Sequence, residues 1–136
     1  ISERISVLRY RGEKTMVCSS DYIIEKYDIF PNQYAYFKSL VGDTADNIKG
    51  AENIGIKTAA SLLRTFGTLE NIIRNAQAIE KPSVKKSIIE NTDRIRRNYE
   101  LIRLEKNQLL QYDKCDLEFI DVRKTTTEVL KGIGIK

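Results

Sequence analysis

The chain has 136 residues, of which 41% are hydrophobic and 31% charged, a balance typical of a soluble globular domain with its own core. It contains no histidine, which excludes Ser-His and Cys-His nucleophilic catalysis. Its two distant cysteines, Cys18 and Cys115, predict neither a zinc site nor a disulfide framework. The net charge of +4 is compatible with a polyanionic partner but does not identify one.

The sequence predicts neither a signal peptide nor a membrane-spanning segment. No apolar run approaches the length that crosses a bilayer, and no charged region leads into an apolar one at the start of the chain. Together with the unpaired cysteines, these features predict a cytoplasmic protein without a membrane partner. Because the first residue is Ile1 and not methionine, we also expect a fragment or a processed chain.

The first eighteen residues favour two β-strands. Residues 4–10 alternate in character and residues 14–18 form a short apolar run, while Gly12 suits the turn between them because it adopts positive φ freely. A pair of strands alone is marginally stable. We therefore expect this hairpin to be the edge of a sheet whose remainder lies outside the sequence.

The pattern then becomes helical. Ser19 or Ser20 can cap a first helix, and Pro31 suits the first turn of a second, where its missing N–H is not needed. Apolar residues recur at helical spacing in both segments and predict buried faces. These residues are Tyr22, Ile23, Ile24 and Tyr27 in the first helix and Tyr34, Phe37, Leu40 and Val41 in the second.

Further helices follow, opened by capping residues or proline and stopped by glycine or asparagine. Ala59, Leu62, Leu63 and Phe66, and then Leu69, Ile72 and Ile73, are expected to face inward. The predicted segments are helices over Lys57–Phe66, from Thr68, from Pro82 or Ser83, and over Asp93–Glu105, an extended piece around Leu117, Phe119 and Ile120, and a short helix over Thr125–Leu130.

The segment from Gly42 to Gly50 carries two carboxylates, Asp43 and Asp46, three residues apart. At that spacing they can share one side of a helical turn and reach one divalent cation. The alternative is that they cap a helix, which is common for aspartate. Two carboxylates alone are also too few to hold magnesium, so further ligands would be needed.

Residues 53–59 have the form of a hairpin between two short helices. Gly55 can take φ values closed to other residues and so let the backbone approach a phosphate. The unpaired N–H groups of the following first turn favour an anion, to which Lys57 adds charge and Thr58 a hydroxyl. Such a hairpin would bind a nucleic-acid backbone without reading bases. The alternative is an ordinary helix start after a glycine turn.

Basic residues concentrate between positions 81 and 103, with few acids nearby. Such a stretch can follow a phosphate backbone, with Lys85 and Lys86 as candidate DNA contacts, or it can be a solvated helix face. The residues are Lys81, Lys85, Lys86, Arg94, Arg96, Arg97 and Arg103.

Residues 20–104 resemble the 5′→3′ exonuclease and flap endonuclease family, which includes the N-terminal nuclease domain of bacterial DNA polymerase I. The resemblance rests on the ordered run from Gly42 to Ala59, continued by Leu62-Leu63, Phe66-Gly67 and Leu69-Glu70. The run departs from the family pattern at three positions. Lys49 replaces a proline, Ala45 a serine, and Asn53 a glycine, although asparagine is the other residue that best tolerates a left-handed conformation.

The resemblance implies a metal-dependent nuclease that acts on duplex, flap or 5′-end DNA in replication and repair, with no small-molecule substrate. Asp43 and Asp46 would be catalytic ligands of Mg²⁺ or Mn²⁺, and carbonyls of Ala51, Ile54 and Ile56 would hold K⁺. The implied DNA contacts are Lys49, Gly50, Asn53, Gly55, Lys57 and Thr58. The family's other metal-binding carboxylates lie upstream and none precedes the first residue here, so we expect the isolated chain to bind DNA and cleave nothing.

The predicted fold is mainly α: a helix–three-turn–helix DNA-binding domain, containing a helix-hairpin-helix, with a small N-terminal β-hairpin from a truncated α/β nuclease domain. The predicted divisions are 1–19 for the remnant of that PIN-like domain, 20–107 for the exonuclease C-terminal domain, and 108–136 for a tail that packs on or extends it. Two alternatives remain open, a non-catalytic helix-hairpin-helix DNA-binding module and a structural protein–protein domain.

Overall fold

The computed structural model describes residues 1–2, 4–105, 108–118 and 125–134. The chain divides into two units, Ile1–Leu104 and Glu105–Lys136. The fold is mainly helical with a small β-hairpin, which confirms the predicted class. The helices are α1 (Ser20–Tyr27), α2 (Tyr34–Val41), α3 (Ile56–Phe66), α4 (Leu69–Arg74), α5 (Pro82–Glu90), α6 (Thr92–Ile102) and α7 (Thr126–Gly132), and the strands are β1 (Val7–Arg11), β2 (Lys14–Cys18), β3 (Gly42–Asp43) and β4 (Ile48–Lys49).

The predicted N-terminal hairpin is present as an antiparallel pair of β1 and β2, with Val7 opposite Cys18. Gly12 takes φ 61° in the turn, as expected. Apolar side chains on both strands stay exposed, among them Leu8, Tyr10 and Val17. That the rest of a sheet lies outside the sequence stays a prediction.

Helix α1 begins with the cap that the sequence indicates, whereas α2 does not begin at the predicted proline. The Ser19 hydroxyl accepts from the Tyr22 N–H at 3.3 Å. Pro31 opens a short 3₁₀ turn, Pro31–Gln33, and not α2 itself, which follows directly. Phe37 and Leu40 of α2 are fully buried, and α2 packs mainly against α6 and α3.

Helices α3 to α6 supply most of the remaining core of the first unit. Thr68 caps α4, as predicted, and Gly67 ends α3 with φ 78°. α3 begins one residue earlier than expected, at Ile56, and α6 runs only from Thr92 to Ile102. Phe66 and Ile73 are half-buried and not fully inside. The buried apolar residues of these helices are Ala59, Ala60, Leu62, Leu63, Leu69, Ile72, Val84, Ile88 and Ile95.

The second unit contains the short helix expected near position 125. Thr125 and Glu128 form a capping box, with the Thr125 N–H bonded to the Glu128 carboxylate at 2.7 Å. The extended piece predicted around Leu117 is wrong at that residue, because Leu117 ends a 3₁₀ turn that begins at Lys114. Phe119 and Ile120 lie outside the described residues. Among the residues that the structure describes, no helix is both long and apolar enough to span a membrane.

Candidate functional site

The two candidate metal ligands lie in a tight β-hairpin, so the predicted helical turn is wrong. β3 pairs with β4, with Asp43 opposite Ile48, and Asp46 lies in the exposed turn between the strands. Helix α2 ends at Val41, and the φ of 90° at its C-cap, Gly42, turns the chain away from the helix. Neither aspartate caps a helix, so the capping alternative is also wrong. We call residues 43–47 the acidic turn.

Asp43 is held by groups of the chain itself. Its Oδ2 lies 2.9 Å from the Lys38 Nζ, and its Oδ1 accepts from the Ala45 N–H at 3.2 Å. The hydrogen bond from the Lys38 ammonium lowers the pKa of the Asp43 carboxyl below its ordinary value. The part of the chain that the structure describes holds no group of three or more His, Cys, Asp or Glu that could bind a metal ion. A magnesium or manganese site would therefore need ligands beyond this turn.

The Lys38–Asp43 pair predicts an acid-sensitive contribution to stability. A carboxyl whose pKa is lowered by folding stabilises the fold fully above its unfolded pKa of about 4, and this stability is lost as pH falls through the folded pKa. Lys38→Met should lower the Tm by about 4–8 °C at pH 7, for a pair worth about 1 kcal/mol, and by progressively less as the pH falls below about 4. Thermal unfolding at pH 7 and at a series of lower pH values checks this, and an equal loss at every pH would contradict it.

Two glycines allow the acidic turn to close against the end of α2. A Cβ built on Gly50 would lie 2.2 Å from the Val41 carbonyl oxygen, and one on Gly42 would lie 2.5 Å from the Gly50 nitrogen. The backbones are therefore in direct contact at this crossing. Gly50 thus has a packing role within the fold, and its predicted DNA contact stays a prediction.

The segment from Ala51 to Gly55 is a turn between β4 and α3, so the expectation of a helix on its upstream side is wrong. We call residues 51–55 the hairpin. Asn53 takes φ 60°, as expected for the residue that replaces a glycine. Ala51 and Ile54 are buried and anchor the loop. Gly55 does not use the special φ that we expected, because its backbone is extended, with φ −90° and ψ −178°. A Cβ on Gly55 would meet nothing within 4 Å, so the fold itself does not require glycine there.

The start of α3 presents unpaired backbone donors next to this hairpin. The first hydrogen bond into the helix runs from the Ala59 N–H to the Gly55 carbonyl at 2.9 Å. The N–H groups of Ile56, Lys57 and Thr58 precede it and have no helical partner. Gly55, as the N-cap, offers no side chain to them. Because the positive end of the helix dipole lies here and Lys57 is exposed, this turn favours an anion.

The predicted potassium ligands are in part engaged already. The Ala51 carbonyl accepts from the Ile54 N–H at 3.3 Å. Ile56 lies inside α3, where each main-chain carbonyl accepts from the N–H four residues on. A potassium ion bound through Ala51, Ile54 and Ile56 stays a prediction.

An open groove continues from the start of α3 toward the start of α5. It has a volume of about 510 Å³ and places two lysines, Lys57 and Lys81, on its walls. The hydroxyl residues Thr58, Ser61 and Thr65 also line it, together with Glu80 and several apolar side chains. Lysines together with hydroxyl groups are the kinds of side chain that contact phosphates.

Part of the basic region is neutralised by ion pairs. Lys86 pairs with Glu90, Arg96 with Glu70 and Arg103 with Glu100, at 3.8, 3.2 and 2.8 Å. These pairs fit the alternative of a solvated helix face, and they weaken the expectation that Lys86 contacts DNA. Within the described ranges, no salt bridge involves Lys81, Lys85, Arg94 or Arg97.

Sequence reasoning missed two buried polar residues that contact the site. Asn98 and Ser87 are 5% and 4% exposed, and both donate to carbonyls of the segment between the acidic turn and α3. Each lies three residues after a buried apolar residue, Ile95 or Val84. A polar residue within an apolar helical stripe was the available signal.

Comparison with known proteins places this geometry in a family. The family model described as "5'-3' exonuclease, C-terminal SAM fold" matches residues 29–125, which include the acidic turn, the hairpin and helices α2 to α6. The chain belongs to the 5′-3′ exonuclease family. This confirms the resemblance inferred from the run between Gly42 and Ala59.

Curated relatives of this family member are bacterial DNA polymerases. The chain is 34% identical over 113 residues to the thermostable DNA polymerase I of Thermus thermophilus. It is 33% identical over 107 residues to DNA polymerase I of Borreliella burgdorferi. These matches cover 83% and 79% of this chain but only 13% and 12% of the polymerases.

Solved structures of nucleases from bacteriophage T5 share the fold. A mutant of the T5 5′-exonuclease superposes with a TM-score of 0.65 and 22% identity, covering 75% of this chain and 41% of that one. The T5 flap endonuclease, in a pseudo-enzyme–product complex with DNA and metal ions, superposes with a TM-score of 0.66 and 22% identity. That match covers 75% of this chain and 37% of the T5 chain.

Proposed function

We propose that this exonuclease-family chain is the DNA-binding portion of a metal-dependent 5′→3′ exonuclease or flap endonuclease. It binds the phosphate backbone of duplex DNA without sequence specificity, through residues 55–58 at the start of α3, which we call the DNA grip. The observation that carries the proposal is the structure at the start of α3. Three unpaired N–H groups and an exposed Lys57 lie at one turn there, next to Gly55, around which there is free space. The T5 relative in complex with DNA supports the same partner.

The chemistry of this turn suits phosphate and not bases. Main-chain N–H groups at a helix N-terminus bind anions through charge and dipole, and contacts to phosphate carry no direct sequence information. The groove lined by Lys57 and Lys81 could hold the next phosphates of the same DNA strand. Binding should therefore fall with salt and depend little on sequence.

Asp43 and Asp46 are proposed as one part of a catalytic metal shell, filled by Mg²⁺ or Mn²⁺. When bound, such ions activate water and stabilise the leaving oxygen of a phosphodiester. The residues present fit only in part, because Lys38 and the Ala45 N–H already occupy the Asp43 carboxylate and no third carboxylate lies near it among the described residues. The chain itself binds the DNA and places these two carboxylates beside the bound DNA.

The partial fit also favours a second candidate, a binding module without a catalytic role. In that case Lys38 would be the permanent partner of Asp43. The two candidates agree on DNA binding and differ on whether Asp43 is needed for cleavage.

A salt titration tests the DNA grip. Affinity for a labelled duplex, measured by fluorescence anisotropy between about 50 and 200 mM KCl, should fall linearly on logarithmic axes. Lys57→Ala should weaken binding and reduce the magnitude of the slope by about 1. Lys14→Ala removes the same charge from the N-terminal hairpin and should change neither quantity. Salt-independent binding, or indifference to Lys57→Ala, would instead favour a protein–protein domain.

A further inference from the structure

Two polar side chains that are not candidate DNA contacts donate hydrogen bonds to main-chain carbonyls of the segment that contains the candidate DNA contacts. Asn98 on α6 donates through its Nδ2 to the Ser39 carbonyl at 3.1 Å and to the Lys49 carbonyl at 2.8 Å. The Ser87 hydroxyl on α5 donates to the Glu52 carbonyl. Both side chains are almost fully buried, so their partners are fixed by the fold and not shared freely with water.

The Asn98 amide joins the two ends of the acidic turn. A side-chain amide nitrogen carries two hydrogens, and here each one has its own acceptor. Ser39 lies in the last turn of α2, where carbonyls lack helical partners, and Lys49 ends β4. One amide group therefore holds the chain just before Asp43 against the chain just after Asp46.

The Ser87 hydroxyl holds the tip of the hairpin. Glu52 immediately precedes Asn53, the residue in the left-handed conformation. In the described part of the chain, the N–H groups of this loop make backbone hydrogen bonds from Ala51 to Leu40 at 2.8 Å and from Ile54 to Ala51 at 3.3 Å. The buried side chains of Ala51 and Ile54 also anchor it. The Ser87 hydroxyl adds a restraint between these two anchors, at the Glu52 carbonyl.

We propose that Asn98 and Ser87 are positioning residues for the DNA grip. By holding the carbonyls of Lys49 and Glu52, they fix the start of α3 relative to the acidic turn. This inference rests on the proposed function, since it assigns these residues to the same site. Neither residue needs to contact DNA.

The chain offers a matched control in Gln33. Its Nε2 also donates to two carbonyls, those of Leu63 at 3.3 Å and Gly67 at 2.9 Å. Those carbonyls lie at the C-terminal end of α3, opposite the hairpin. Gln33→Ala therefore removes a comparable pair of amide bonds at the far end of α3, together with the bond from the Phe30 N–H to its Oε1 at 3.0 Å. It leaves the bonds of Asn98 and Ser87 in place.

The test measures amide hydrogen exchange and DNA affinity on the same variants. Asn98→Ala and Ser87→Ala should each accelerate exchange of the Ala51 and Ala59 amides by about tenfold over that of Ile72 in α4, and weaken duplex binding by about tenfold, as expected for a lost bond worth about 1.4 kcal/mol. Gln33→Ala should accelerate the Gly67 amide and leave DNA affinity unchanged.

Two results would overturn the positioning role. One is equal acceleration of all three amides, which would mean a general loss of stability. The other is unchanged DNA affinity in a folded variant whose hairpin amides exchange faster. If Asn98→Ala does not fold, Ser87→Ala decides, because alanine suits a helix interior. If the unaltered chain binds no DNA, the proposed function fails, while the exchange pattern still reports whether these residues hold the hairpin.

Discussion

Replacement of Gly50 by alanine is expected to destabilise the first unit by about 3 kcal/mol, at the upper end of what overpacking typically causes. The added Cβ would lie 2.2 Å from the Val41 carbonyl oxygen and 2.6 Å from that of Leu40. Both neighbours are backbone atoms at the buried end of α2, so they cannot turn aside as a flexible side chain would. Since a domain has only about 5–15 kcal/mol of stability in total, the Tm should fall steeply.

Gly55→Ala is the matched control for this prediction. It adds the same methyl group in the same loop region, but the new Cβ meets nothing within 4 Å and the backbone is extended. Its cost should stay below about 1 kcal/mol, the small penalty of alanine at an N-cap. Chemical denaturation of both variants checks the contrast. Equal stability of the two would show that the crossing at Gly50 is not as close as the structure has it.

The second large effect concerns Asp43 and follows from the proposed function, in which this chain is one portion of a metal-dependent nuclease. If Asp43 holds a catalytic metal, Asp43→Ala should lower the rate of magnesium-dependent DNA cleavage by about a hundredfold or more. Metal stabilisation of the transition state supplies several kcal/mol, and each loss of about 1.4 kcal/mol is a factor of ten in rate. The isolated chain of 136 residues should show no cleavage.

Lys38→Met separates the catalytic role of Asp43 from its structural role. Both substitutions break the same 2.9 Å ion pair, but Lys38→Met keeps the carboxylate. A large loss with Asp43→Ala and a small one with Lys38→Met would support the metal ligand. Full activity of the Asp43→Ala protein would favour the non-catalytic binding module, and robust cleavage by the isolated chain would contradict the need for further carboxylates.

The sequence predicted most of the helical framework because its signals are local. Ser19 and Thr68 cap the helices that their side chains indicated, and Gly67 stops α3. Asn53 takes the left-handed conformation for which asparagine is suited. Each of these features depends on neighbours a few residues away, and pattern reading captures that range well.

The features that sequence reasoning missed depend on the meeting of distant segments. Strands of two residues, such as β3 and β4, are too short to show an alternating pattern. The contact between Gly42 and Gly50 forms only once the chain has folded back on α2. Asn98 lies 49 residues from the Lys49 carbonyl it holds, so its place in the apolar stripe of α6 signals burial but does not identify its partner.

The affinity of Gly55→Ala for duplex DNA, measured beside its Tm, tests the central claim most directly. The claim is that the backbone at Gly55 and the first turn of α3 contacts a DNA phosphate. A methyl group at Gly55 should therefore interfere with DNA binding without destabilising the fold. We predict a loss of affinity of about tenfold, or about 1.4 kcal/mol, on two unrelated duplex sequences alike, with the Tm nearly unchanged. Unchanged affinity for both duplexes would contradict the proposed grip.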